Sequence, residues 1–128
     1  MTQGVTVIVG AGQAGAHAAV AARMAGLAGR LVLVGEETHA PYERPPLSKA
    51  ALTEDPPPEP GWFFPPTRYA DLGIELLTGT AATGLDLASG RVELADGQRL
   101  PFDRIMLATG GRARRLGVPG GGRALTLR

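Results

Sequence analysis

Residues 5–9 (Val-Thr-Val-Ile-Val) are a β-rich, mostly apolar run that stops at Gly10. A run with no polar face reads as a strand buried on both sides, as in a parallel sheet. Residues 13–25 are alanine-rich with few breakers, which predicts a helix closed by Gly26 and Gly29. Residues 31–34 repeat the buried-strand pattern. A strand, a helix and a strand in about 30 residues predict a right-handed crossover between parallel strands.

The pattern then changes. Nine of the eleven prolines fall between residues 36 and 66, and residues 55–60 are all proline or acid. This predicts a short helix over 48–52 and then an irregular loop. Trp62, Phe63 and Phe64 are expected to fold the loop back onto the core, a proline-rich recognition motif being the alternative. A helix over 67–72 leads to a third parallel strand at 74–77. Segments 80–87, 91–94 and 98–102 alternate, with Ser89-Gly90 and Asp96-Gly97 as turns, so residues 80–102 read as an antiparallel meander. Residues 105–108 read as another buried strand, ending at Thr109-Gly110-Gly111. Residues 111–128, rich in arginine and glycine, read as a connector. The expected fold class is α/β: a Rossmann-like parallel sheet with an antiparallel β-meander.

Composition narrows the chemistry. At 128 residues the chain is long enough for one modest core, and its net charge of +1 gives no basic footprint for nucleic acid. A solvated turn explains Arg112, Arg114 and Arg115 as well as phosphate contacts do. With no cysteine, this sequence has no disulfide, thiolate metal site or redox dithiol. His17 and His39 are too far apart for a helical metal pair, and His17 reads as a helix-surface or packing residue on the first helix rather than a catalyst. Asp86, Asp96 and Asp103 read as turn and strand-end residues. No apolar run approaches the roughly 18 residues of a membrane span, and the start lacks a signal peptide's charged region. A cytosolic location without membrane contact is expected.

The candidate chemistry lies at the first turn. Gly10-Ala11-Gly12-Gln13-Ala14-Gly15 is a G-x-G-x-x-G between a strand and a helix. Gly10 permits the tight turn, Gly12 lets backbone amides reach a pyrophosphate, and Gly15 lets the helix pack on the strand. The helix N-terminus adds free N–H groups and partial positive charge. Glu36, about 20 residues on, stands where a carboxylate accepts bonds from ribose hydroxyls and repels a 2′-phosphate, which disfavours NADP here. FAD and NAD remain, and the fingerprint does not separate them.

The next segment bears on that choice. Pro41-Tyr42-Glu43-Arg44-Pro45-Pro46-Leu47-Ser48-Lys49, with Ala108-Thr109-Gly110 after a later strand, resembles the FAD-dependent ferredoxin-reductase family. That family includes putidaredoxin and rubredoxin reductases, dioxygenase reductase components and the apoptosis-inducing factor group. The resemblance implies that amides of Gly12, Gln13, Ala14 and Gly15 hold the FAD pyrophosphate, with Gly10 shaping the turn. It implies Glu36, with Glu37 beside it, at the adenosine ribose, and Arg44 and Lys49 on the flavin side. Ala82 would meet the adenine, Ala108, Thr109 and Gly110 would pass close to the cofactor, and Arg128 would reach the flavin phosphates. Lys49 is the sole lysine among thirteen basic residues, and solvated loop positions are the plain alternative for both cations.

Related flavoproteins place a redox dithiol where this chain has Pro-Pro-Leu-Ser-Lys. The resemblance therefore implies an oxidoreductase taking a hydride from NADH or NADPH to FAD and passing electrons to a ferredoxin- or rubredoxin-type carrier. It also implies that residues 1–128 are the amino-terminal part of a longer flavoprotein, with the NAD(P)H-binding and carboxyl-terminal domains lying elsewhere. A non-catalytic FAD- or NAD-binding module and an NAD-dependent dehydrogenase domain remain as alternatives. No side-chain catalyst is expected in this stretch.

Overall fold

The computed structural model describes residues 3–59 and 61–127. The first strand, β1 (Val5–Val9), leads through the glycine turn into α1 (Gln13–Met24) and then β2 (Arg30–Val34). Ala25 caps α1, and Gly26 turns the chain out at φ 87°. Next come a 3-10 turn (Pro45–Ser48), α2 (Ala50–Thr53) and α3 (Thr67–Asp71), then β3 (Ile74–Leu77). The helix expected over 48–52 is thus two short pieces broken at Lys49, whose backbone (φ −132°, ψ −113°) is not helical.

β1, β2 and β3 form a parallel sheet with β7 (Arg104–Leu107), in the order β3-β2-β1-β7. The meander is a second sheet of β4 (Ala82–Asp86), β5 (Arg91–Leu94) and β6 (Arg99–Pro101). Its first strand is shorter than expected, and its pairing with β5 shifts register between Ala82 and Gly84. Asp86 accepts the amides of Ala88 and Ser89, and Asp96 that of Gln98, so both aspartates fix turns. Asp103 accepts the amide of Val5 at 2.6 Å.

Alternation along the central strands builds two cores. Ile8, Leu31 and Leu33 face Ala16, Ala19 and Val20 of α1, closed by Tyr69 and Ile74. Val7, Val9, Val32 and Val34 face Val92, Leu94 and Leu100 of the meander. The apolar runs of β1 and β2 follow from this arrangement, since both their faces are covered.

β7 departs from the expected buried strand. It pairs on one side only, with β1, and among the described residues nothing covers its outer edge. Ile105 is half-buried, but Met106 and Leu107 are 39% and 61% exposed. The proline-rich loop returns as expected through Phe63 and Phe64, each with its ring centroid 5.1 Å from that of His17 on α1. Trp62 instead stays at the surface, in an antiparallel bridge with Tyr42.

Candidate functional site

The strand order gives the site its place. From β1 the sheet runs to β2 on one side and to β7 on the other, and in open α/β sheets a crevice forms beyond the strand ends at such a reversal. A cleft of about 1030 Å³ lies there, at the upper end of the range for cofactor pockets. Its walls are residues 9–14, residues 34–37 with His39, Ala40, Tyr42 and Arg44, residues 80–82, and residues 108–112.

Each glycine of the fingerprint has a different task. Gly10 has φ 112°, and a Cβ there would lie 2.0 Å from the Ala108 carbonyl oxygen, so only glycine lets β7 close beside the turn. A Cβ on Gly15 would lie 1.7 Å from the Gly10 carbonyl oxygen, so its absence lets α1 sit against the loop. A Cβ on Gly12 would meet nothing within 4 Å and would point into open space. Gly12 is the N-cap of α1, and no side chain caps it. The first amides of a helix lack partners within it, so those of α1 are open to a ligand with the helix dipole behind them.

The opposite wall supplies acid. Glu36 is exposed directly beyond β2 and lines the cleft. Its backbone is fixed by its neighbour: the Gly35 amide donates to the Leu77 carbonyl at 2.7 Å, and the Thr80 amide donates to Gly35 at 3.2 Å. Gly35 was not singled out in the sequence, yet a Cβ there would lie 2.6 Å from the Ala11 Cβ. A glycine between a buried strand and the acid was the available signal.

Glu37, expected beside Glu36 at the ribose, is engaged with side chains of the proline segment. Its carboxylate accepts from the Tyr42 hydroxyl at 2.5 Å and forms an ion pair with Arg44. The Tyr42 bond first, with the bond and charge of Arg44 adding to it, holds the Glu37 carboxyl below its ordinary value, although burial opposes the shift more strongly than the Arg44 bond alone assists it. Burial, reinforced by the bond to Glu37, pushes the Tyr42 phenol up. The Arg44 guanidinium lies 5.2 Å from the Tyr42 ring centroid, a cation–π contact.

Gly10, Gly12, Gln13, Ala14, Glu36, Glu37, Arg44, Ala82, Ala108, Thr109 and Gly110 therefore line one cleft. Gly15 lies behind it as packing. Lys49, expected with Arg44 on the flavin side, is exposed and outside the lining of this cleft. The 3-10 turn ends at Lys49, which begins α2 there, away from the loop ends that build the walls. Arg128 falls outside the described residues. The sequence reading missed His39, Ala40, Thr80, Ala81 and, as a lining residue, Arg112. Tyr42 stood inside the quoted proline motif with no role given to it.

Amide donors at one end and, at the other, a carboxylate without a side-chain partner among the described residues suit a ligand with an anionic group and a diol. The glycine at position 12 leaves room for close approach.

Comparison with known proteins agrees with the resemblance read from the proline motif. The profile of the pyridine nucleotide-disulphide oxidoreductase family matches residues 5–127. Rhodocoxin reductase of Rhodococcus erythropolis is 46% identical over 114 residues, which is 89% of this chain and 27% of that protein. The ferredoxin–NAD(+) reductase subunit of the Pseudomonas putida benzene 1,2-dioxygenase system is 45% identical over 118 residues, with 88% and 27% covered. Among solved structures, the covalent putidaredoxin reductase–putidaredoxin complex superposes with a TM-score of 0.82 at 39% identity, over 97% of this chain and 30% of that one. The chain thus spans under a third of the length of these relatives. With 123 of its 128 residues inside the match, the chain belongs to the pyridine nucleotide-disulphide oxidoreductase family.

Proposed function

We propose that the cleft holds the ADP half of FAD, and that this chain is the flavin-binding portion of an NAD(P)H-dependent reductase serving a ferredoxin- or rubredoxin-type carrier. The observation that carries the reading is the pairing of the open glycine at position 12, before uncapped helix amides, with the Glu36 carboxylate, which has no side-chain partner among the described residues, across the same cleft. Relatives named as a rhodocoxin reductase and a ferredoxin–NAD(+) reductase subunit support the reaction class.

The amides at the start of α1 would take the pyrophosphate, and Glu36 the ribose hydroxyls. Ala82 would lie along the adenine and Thr109-Gly110 along the opposite wall. Arg44, on the same rim, would stand on the flavin side. Bound FAD would supply hydride acceptance and one-electron release. No side chain of the cleft is asked to move a proton. The sequence holds no cysteine, so the dithiol chemistry in the family's description has no counterpart in these residues. No helix among the described residues is long and apolar enough to cross a membrane. We place the protein in the cytosol.

Titration of the purified chain with FAD and with NADH tests the assignment, with Glu36→Ala as control. FAD is expected to bind in preference, and Glu36→Ala to weaken it by about 1.5–3 kcal/mol, the worth of bonds to a charged acceptor. NADH binding without measurable FAD affinity would reverse the assignment. Equal FAD affinity in variant and parent, with the fold intact, would remove Glu36 from the site.

A further inference from the structure

Arg44 reaches the cleft from the start of the short 3-10 turn, where its carbonyl accepts the Leu47 amide at 2.9 Å, which fixes its backbone but not its long side chain. What holds the guanidinium is Glu37. The backbone carbonyl of Glu37 accepts the Gly79 amide at 2.8 Å, which ties the residue to the connection after β3. Its side chain accepts the Tyr42 hydroxyl with one oxygen and pairs with Arg44 through the other. Tyr42 in turn joins Trp62 by an antiparallel bridge, and the Glu43 amide donates to the Gly61 carbonyl at 2.7 Å. One residue thus connects the end of β2, the proline segment and the returning loop, all on one side of the cleft.

We propose that Glu37 is a positioning residue: with Tyr42 it holds the Arg44 guanidinium at the cleft rim, rather than binding the ribose itself. The inference rests on the FAD reading above. Three features support it. Both carboxylate oxygens of Glu37 are engaged with the same loop. The guanidinium also lies over the Tyr42 ring, so Tyr42 limits its orientation from a second direction. The neighbouring Glu36 is the carboxylate left without an ion pair or side-chain hydrogen bond among the described residues of the cleft, and it is sufficient for a diol. Holding a flexible arginine in one orientation before the ligand arrives reduces the ordering cost of binding.

The test is a double-mutant cycle on FAD affinity, read by flavin fluorescence, with E37Q, R44Q and E37Q/R44Q. E37Q is expected to weaken FAD binding about fivefold to tenfold, the loss of a charge-assisted contact at a partly exposed site. In the R44Q background the same change is expected to alter affinity less than about twofold, because the group it positions is gone. Trp62, the single tryptophan, gives a reading without cofactor: its quenching by iodide should rise in E37Q. Should E37Q melt early, Y42F removes one donor from the same carboxylate, keeps the charge, and should weaken FAD in the same direction. Unchanged affinity in E37Q, or an equal loss with and without Arg44, would overturn the inference, the latter showing that Glu37 touches the cofactor. A parent chain that takes up no FAD would instead sink the FAD reading.

Discussion

Replacing Gly15 by alanine sets two effects of opposite sign against each other. Gly15 lies inside α1, where alanine is the better helix former by about 1 kcal/mol. If propensity decided, Gly15→Ala would stabilise the chain. The added Cβ, however, would sit 1.7 Å from the Gly10 carbonyl oxygen, where real contacts essentially never fall below 3.0 Å. The obstacle is backbone, so α1 itself must withdraw by about 1.3 Å. That withdrawal loosens the buried contacts of Ala16, Ala19 and Val20 with the sheet. Overpacking of this kind costs about 1–3 kcal/mol, or more where backbone must move. The net expectation is a loss of about 1–2 kcal/mol, which for a domain of this size lowers the melting temperature by about 3–8 °C. Thermal unfolding followed by far-UV circular dichroism without cofactor reads it directly. A variant melting at or above the parent temperature would refute the close packing assigned to Gly15.

Two further outcomes follow from the same physics. Gly12→Ala adds a methyl where nothing lies within 4 Å, at an ordinary φ of −92°, so melting should move by less than about 2 °C; FAD affinity in a fluorescence titration should nonetheless fall more than about tenfold, because the methyl occupies the space of close approach. Glu75 is held below its ordinary pKa chiefly by its bond from Arg30, so its contribution is present above the unfolded carboxyl value and lost as pH falls through the lowered folded value. Both side chains are some 40% exposed or more, so Glu75→Gln should cost no more than about 1 kcal/mol at neutral pH. In parent and variant melts compared across pH, that gap should close below about pH 4; a gap constant down to pH 2 would contradict the pairing.

The parallel sheet was legible because β1 and β2 are covered on both faces, and such strands have nearly unbroken apolar sequences. The meander was legible through its turns: Gly90 and Gly97 have φ of 63° and 87°, the conformation that Ser-Gly and Asp-Gly announce. The same logic overreached at β7. An apolar run reports what a strand is made of, not which neighbours are present, and Met106 and Leu107 have none on their outer side among the described residues. The glycine loop and Glu36 were readable because strand, turn and helix fix their spacing. The Glu37–Tyr42–Arg44 cluster was not, because partners five and seven residues apart in an irregular segment follow no period. Lys49, read from the same motif as a flavin-side cation, follows the 3-10 turn and does not line this cleft.

The central claim is that the cleft grips the ADP half of the cofactor, and competition binding separates the two halves. FAD bound to the purified chain is challenged with ADP and, separately, with FMN, and flavin displacement is followed by fluorescence anisotropy and calorimetry. ADP should displace FAD and bind on its own, while FMN, lacking the adenosine portion, should bind far more weakly than FAD. FMN binding as tightly as FAD, with ADP unable to compete, would show that the glycine loop and Glu36 do not form the binding site.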